Sequence, residues 1–342
     1  MEKTKSLFQK LKLQPFKVYA AFKQKITLTG VLLILVLFVG FGLRLQNLNW
    51  DENHHLHPDE RWLTMVTEAL KWPADLTHLF TPSSSLSPFF DSGRNGSRNF
   101  AYGGFSIYLL KAASEISAEI GSLLDPSYEF LRHYDGVTLV GRVISAICDT
   151  VTILFVFLIA RAFVNPILAV FASALYGSGV LGVQLSHFFA VDTIANMWIT
   201  ISLYFAVKLV QTPNVRNSLL LGAMSGLAMA TKFSASPIWA MVVLAQLLCQ
   251  RSRCGFYQRT FYSVLAGFVV YFIAHPYSII DFPAFISSMR EQNHMVTGLS
   301  DLPYTRQYRR TDVGHYIENL FYWGMGPAFF IAAAVGFLGA IY

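Results

Sequence analysis

Eight stretches of predominantly apolar sequence, 26–43, 137–160, 167–185, 191–210, 217–233, 236–250, 261–280 and 324–342, decide what this chain of 342 residues can become. A helix of roughly 17–25 apolar residues matches the hydrocarbon thickness of a bilayer. Inside that layer every backbone N–H and C=O must find its partner within the protein, which a helix achieves alone. The pattern predicts an all-α, polytopic integral membrane protein with about eight transmembrane helices. With 54% hydrophobic and 13% charged residues, the composition is that of a membrane protein.

Charge sets the expected orientation. Lys3, Lys5, Lys10, Lys12, Lys17, Lys23 and Lys25 all precede the first stretch, so 1–25 reads as a basic cytoplasmic terminus and 26–342 as the transmembrane domain. The first stretch is longer than a signal-peptide core, and Arg44 and Leu45 follow it instead of a small-x-small site, so it reads as a retained anchor. Counting spans from there puts the loops Arg161–Pro166, Gln211–Asn217 and Gln250–Arg259 in the cytoplasm, where their basic residues belong. The net charge of +6 is therefore a topology signal. No basic stripe interleaved with stacking aromatics points to nucleic acid. The three cysteines, Cys148, Cys249 and Cys254, are too few and too scattered for a disulfide framework.

The opposite face receives 44–136, Ser186–Ala190 and 281–323. In the first of these, 59–72 predicts a short helix with Trp62, Met65, Val66 and Ala69 on one side. Residues 73–98, rich in Pro, Ser, Gly and Asn, predict loop. A second helix over 102–124 carries Lys111, Glu115 and Glu119 at intervals of four, which suits an interfacial helix better than a span. The chain ends in apolar sequence, Gly336 to Tyr342, and reads as a piece of a longer protein that stops inside a span.

Chemistry concentrates on that face. In His57-Pro58-Asp59-Glu60-Arg61-Trp62 two adjacent carboxylates follow a proline at a helix start. They complement the helix dipole, or Asp59 serves as general base or holds a cation. Asp192 stands at the mouth of a span with no other charge before Lys208, a position where acids mark function. Lys232 ends another span, either snorkelling or neutralising a phosphate. Arg306 and Arg309 supply guanidinium forks suited to phosphate oxygens. His54, His55 and His57 fit no standard zinc spacing. A divalent cation shared by Glu or His residues from two outer loops stays open. No glycine-rich phosphate loop occurs, which disfavours nucleotide binding.

Several of these segments, in this order, resemble the GT-C superfamily of membrane glycosyltransferases. The similarity is to the branch that includes the aminoarabinose transferase of lipid A and the protein O-mannosyltransferases. The segments are His57-Pro58-Asp59-Glu60, Tyr102-Gly103-Gly104, Gly141-Arg142-Val143-Ile144-Ser145, Ala190-Val191-Asp192, and Gly226 to Thr231-Lys232. The resemblance implies transfer of a sugar from a polyprenyl-phosphate donor to a glycan, lipid or protein acceptor, with inversion, on the extracytoplasmic face of a membrane, by expectation a bacterial inner membrane. It implies a catalytic role for Asp59, assisted by Asp192 with Glu60 next, and donor contacts from Lys232, Arg306, Arg309 and Tyr102. Two departures stand out: Asn99-Phe100-Ala101 precedes the aromatic helix where the aminoarabinose branch has a lysine beside an acid, and the family has more spans. The rival readings are a secondary transporter or flippase, which would show an inverted repeat that this sequence lacks, and a non-catalytic remnant.

Overall fold

The computed structural model describes residues 28–73, 75–93, 96–249, 253–300, 303 and 312–341. It is a helical bundle, and the short antiparallel pair β1 (Phe90–Asp91) and β2 (Gly96–Ser97) is the only sheet among the described residues. Over its described residues each apolar stretch is largely helix: α1 (Leu28–Leu45), α5 (Tyr134–Ala160), α6 (Pro166–Gly177) with α7 (Val180–Leu185), α8 (Val191–Gln211), α9 (Val215–Thr231), α10 (Ile238–Leu248), α11 (Arg253–Ala274) and α15 (Pro327–Ile341). By length and apolarity alone, α1, α5 and α8 suffice to cross a membrane. Large apolar side chains on α1 such as Ile34 and Phe38 remain exposed, as lipid-facing residues would.

The remaining α-helices lie in the segments between α1 and α5 and between α11 and α15. They are α2 (Pro58–Ala69), α3 (Leu76–Leu79), α4 (Gly104–Ser122), α12 (Tyr277–Ile280), α13 (Phe282–Val296) and α14 (Val313–Asn319). A π turn, Leu320–Gly324, follows α14, and the chain bends by 120° there before α15. Two of the expected elements need correction. The stretch 167–185 is not one helix: it stops at Gly177 and restarts at Val180, and the carbonyl freed at Gly177 accepts from Arg44 Nη1 at 2.9 Å. Helix α2 does not bury the face Trp62, Met65, Val66 and Ala69. Met65 is half exposed, while Glu60, Leu63, Thr64 and Thr67 turn inward with Val66. The inward polar face exists because Glu60 finds a buried cation, as described below.

Small residues set how closely the helices approach. A Cβ on Gly222 would lie 1.9 Å from the Ser263 carbonyl oxygen, and one on Gly226 2.3 Å from that of Gly267. The glycines spaced by four on α9 thus let its backbone touch that of α11, the membrane analogue of tight helix packing. Gly103 does the same for the outer layer. Its added Cβ would lie 1.8 Å from the Ala230 carbonyl oxygen, and its N–H donates to Thr231 O at 3.0 Å. The Tyr102-Gly103-Gly104 turn is therefore seated on the end of α9, next to Lys232.

Candidate active site

Local sequence explains how the first acids are presented. Pro58 opens α2, and His57 caps it, its Nδ1 accepting from Glu60 N at 3.2 Å. The adjacent acids then point in different directions. Asp59 is exposed, with no hydrogen-bond or ion-pair partner among the described residues. Glu60 is completely buried, and both of its oxygens are taken: Oε1 accepts from Arg142 Nε (2.9 Å) and Phe189 N (2.7 Å), and Oε2 accepts from Arg142 Nη2 (2.7 Å). A carboxylate bound this way is an anchor, which corrects the expectation that Glu60 works beside Asp59.

Arg142 is the centre of that anchor. Besides Glu60 it binds Asp51 twice (3.0 and 2.7 Å) and donates to Leu48 O at 2.9 Å, so each guanidinium nitrogen is engaged and the side chain is 1% exposed. Asp51 also accepts from Leu56 N. Burial would raise the Asp51 carboxyl, but its hydrogen bonds and charge attraction to Arg142 win and hold it below the ordinary carboxylate value. One cation thus ties the loop 46–57, the start of α2 and the loop 186–190 to α5. Further ties join the same loops: Trp50 Nε1 donates to His187 O at 2.8 Å, His187 Nε2 bonds Gln46 O at 2.9 Å, and His57 stacks on Phe188. The loop 46–57 is held in an unusual shape, with Asn47, Glu52, Asn53 and His55 all at positive φ.

Asp192 follows this loop by three residues from Phe189, in the first turn of α8. Its Oδ1 pairs with Lys232 Nζ at 2.7 Å, and both side chains are part-exposed. Lys232 is fixed by its backbone at the end of α9, bonded to Ala228 O. Both residues line a cavity of about 950 Å³ bounded by α6, α7, α8 and the α14–α15 bend. Its walls are mostly apolar, with Phe171, Leu185, Ile199 and Phe329 among them. Polar groups on few sides of an apolar cleft of this size are typical of a small-molecule site.

The other expected residues fall as follows. Asp59 lies in the first turn of α2, next to Glu60, which accepts from Phe189 N in the loop before Asp192, but it does not line the cavity. Tyr102 packs against Phe100 and also lies outside the cavity wall. Arg306 and Arg309 lie outside the described residues. The three histidines diverge: His55 bonds Asp135 at 2.8 Å, His57 caps α2, and His54 faces outward. Among the described residues no three His, Cys, Asp or Glu side chains come together as a metal site, and Glu60 and His57 are engaged within the protein.

The cavity also holds a group that the sequence reading passed over. Asp149, inside α5, accepts from Arg44 Nε (2.7 Å) and from the Tyr176 hydroxyl (2.6 Å), and Asn196 Nδ2 donates to that hydroxyl at 2.7 Å. Arg44 is fully buried and Asp149 is 1% exposed. The signal was available: a lone acid inside an apolar stretch, and an arginine at the end of another, call for each other as partners.

Residues 134–279 match the family model described as dolichyl-phosphate-mannose-protein mannosyltransferase. No curated protein sequence matches the chain. Among solved structures, the S. cerevisiae protein O-mannosyltransferase Pmt1-Pmt2 complex bound to the sugar donor superposes with a TM-score of 0.52 at 13% identity, over 78% of this chain and 35% of that one. The chain thus spans about a third of the length of the protein it superposes on. What the two share is the fold, and the chain resembles the protein O-mannosyltransferase kind of GT-C membrane protein in both sequence and architecture.

Proposed function

We propose that the protein is a GT-C glycosyltransferase that moves a sugar from a polyprenyl-phosphate donor to a hydroxyl or amine of a glycan, lipid or protein acceptor, at the outer face of a bacterial inner membrane. The observation that carries this reading is the mostly apolar cavity whose wall includes the Asp192–Lys232 ion pair. The matched family model and the donor-bound yeast neighbour support the same reaction class.

In this reading the isoprenoid chain lies along Phe171, Leu185 and Phe329, and the phosphate meets Lys232. The acceptor O–H or N–H gives its proton to Asp59 as the acceptor atom attacks the anomeric carbon. The bond from that carbon to the phosphate oxygen breaks with inversion, and the polyprenyl phosphate leaves with the bonding pair, its new charge offset by Lys232. Asp59 suits the base role because it is open to solvent and shares its carboxylate with no cation among the described residues. The Arg142 anchor holds Asp59 and Asp192 in a fixed relation by tying their loops to one helix.

The test is sugar transfer from a polyprenyl-phosphate donor by purified protein in lipid. Asp59→Asn should lower the rate by about 100- to 10,000-fold, the usual worth of a general base. Its thermal stability should stay at the wild-type value, since no bond to the carboxylate is lost. Transfer at the wild-type rate would remove Asp59 from the reaction.

A further inference from the structure

The polar group at Asp149 does more than neutralise Arg44, because it fixes what the cavity wall presents. Asp149 can only accept, so the Tyr176 hydroxyl spends its single proton on Asp149 Oδ1 at 2.6 Å. The phenol oxygen is then left as an acceptor, and it receives Asn196 Nδ2 at 2.7 Å. That choice sets the amide: its nitrogen faces Tyr176, and Oδ1 points elsewhere with no partner among the described residues. Asn196, Tyr176 and Asp149 all line the cavity that contains Asp192 and Lys232. One turn of α8 separates Asn196 from Asp192, so both reach the same small ligand.

A second observation points the same way. Thr193, between these two residues and also in the cavity wall, is 2% exposed, and its Oγ1 has no hydrogen-bond partner. A buried hydroxyl left without a partner costs free energy unless something arrives to satisfy it. An amide oxygen and a threonine hydroxyl, beside an acid and an ammonium, are the complement of a polyol that carries an anion nearby.

We infer that Asn196 Oδ1, oriented by the chain Arg44–Asp149–Tyr176, together with Thr193, reads the hydroxyl groups of a sugar ring and so determines which sugar the protein accepts. The inference rests on the glycosyltransferase reading and adds residues that sort substrates to it. Such a ring comes from the donor or from an acceptor glycan.

Binding to the full chain in nanodiscs separates these sources, with a short-chain isoprenyl phosphomannose, the same isoprenyl phosphate without sugar, and methyl mannoside as probes. Asn196→Leu and Thr193→Val should each weaken the phosphomannose about five- to tenfold, the worth of one hydrogen bond, and leave the sugar-free phosphate unchanged. Thr193→Val removes an unpartnered hydroxyl at constant shape, so the variant should be as thermostable as wild type, which a purely structural residue would not allow. Tyr176→Phe should also weaken sugar binding, because it releases the amide to turn. Selective weakening of methyl mannoside alone would support the same residues acting on an acceptor glycan. If wild type binds neither isoprenyl compound, the donor reading falls, and the inference then stands or falls on whether methyl mannoside binds and loses affinity in Asn196→Leu. Equal weakening of the sugar-bearing and sugar-free ligands, or no change in any sugar ligand, would overturn it.

Discussion

Replacing Arg142 with Met should be more damaging than any change to the acids it binds, and the arithmetic follows from its position. Its guanidinium serves two carboxylates, Asp51 and Glu60, each fully buried in its side chain. In Arg142→Met both acids stay buried, Glu60 with only Phe189 N and Asp51 with only Leu56 N as donors. Removing one partner of a buried pair costs about 3–5 kcal/mol, and here one deletion strands two charges. Against a total stability of about 5–15 kcal/mol, that is enough to leave little folded protein. Glu60→Gln is milder, because Arg142 keeps Asp51 and an amide oxygen in the Oε1 position still accepts from Arg142 Nε and Phe189 N; the lost charge-assisted bond from Arg142 Nη2 costs about 1.5–3 kcal/mol. The triple change Asp51→Asn, Glu60→Gln, Arg142→Met removes every charge and should recover part of the loss. Unfolding in lipid can be followed by dye capture of the buried thiols Cys148 and Cys249 in a Cys254→Ser background. An Arg142→Met protein within about 1 kcal/mol of wild type would refute the claim that this cation holds the outer loops.

Two other consequences are open to direct measurement. Gly103→Ala would drive a methyl into the Ala230 carbonyl, 1.8 Å from the ideal Cβ position, where backbone cannot yield cheaply. The expected loss is about 1–3 kcal/mol or more, with reduced transfer because Lys232 is displaced, whereas Gly42→Ala, which meets nothing within 4 Å, should be silent in the same unfolding assay. Asp51 contributes a pH dependence of known sign. Its folded carboxyl lies below the ordinary value of 3.8. The stabilisation is thus complete above the unfolded value and lost as pH falls through the folded one. Acid titration of unfolding should show a steep limb below about pH 4 that flattens in Asp51→Asn, and an unchanged limb would contradict the assignment.

The bundle was legible because its elements are dictated by solvent. The apolar stretches are largely helix, since a bilayer leaves no alternative, and the helix expected over 102–124 appears as Gly104–Ser122. What failed was finer. The break after Gly177 depends on Arg44 reaching its carbonyl from a distant helix, and periodicity carries no such long-range information. The face of α2 was misjudged for a similar reason, because apolar patterning assumes that acids face water, whereas Glu60 is drawn inward by Arg142 from 82 positions away. Asp59 and Asp192 read alike in the sequence, as acids flanking apolar stretches, and residue type gave no way to tell the carboxylate without a partner among the described residues from the one paired with Lys232. Asp149 lies inside an apolar stretch, and its partners Arg44 and Tyr176 come from distant helices that local patterning does not connect.

Two buried charge clusters on α5 divide the labour of the outer layer. Arg142 draws two loops and the start of α2 onto the helix, and Asp149, seven residues further along, fastens α1, α6 and α8 to it through Arg44, Tyr176 and Asn196. Neither cluster is the economical way to hold helices together, because burying ions costs desolvation that apolar packing avoids. What such clusters give instead is directional geometry: each bond fixes an angle and a partner, where apolar contacts tolerate sliding. The segments that carry Asp59 and lead to Asp192 are joined in this way through Glu60 and Phe189 N. The lipid-facing surfaces need no such bonds, and there the chain uses ordinary leucine, isoleucine and phenylalanine.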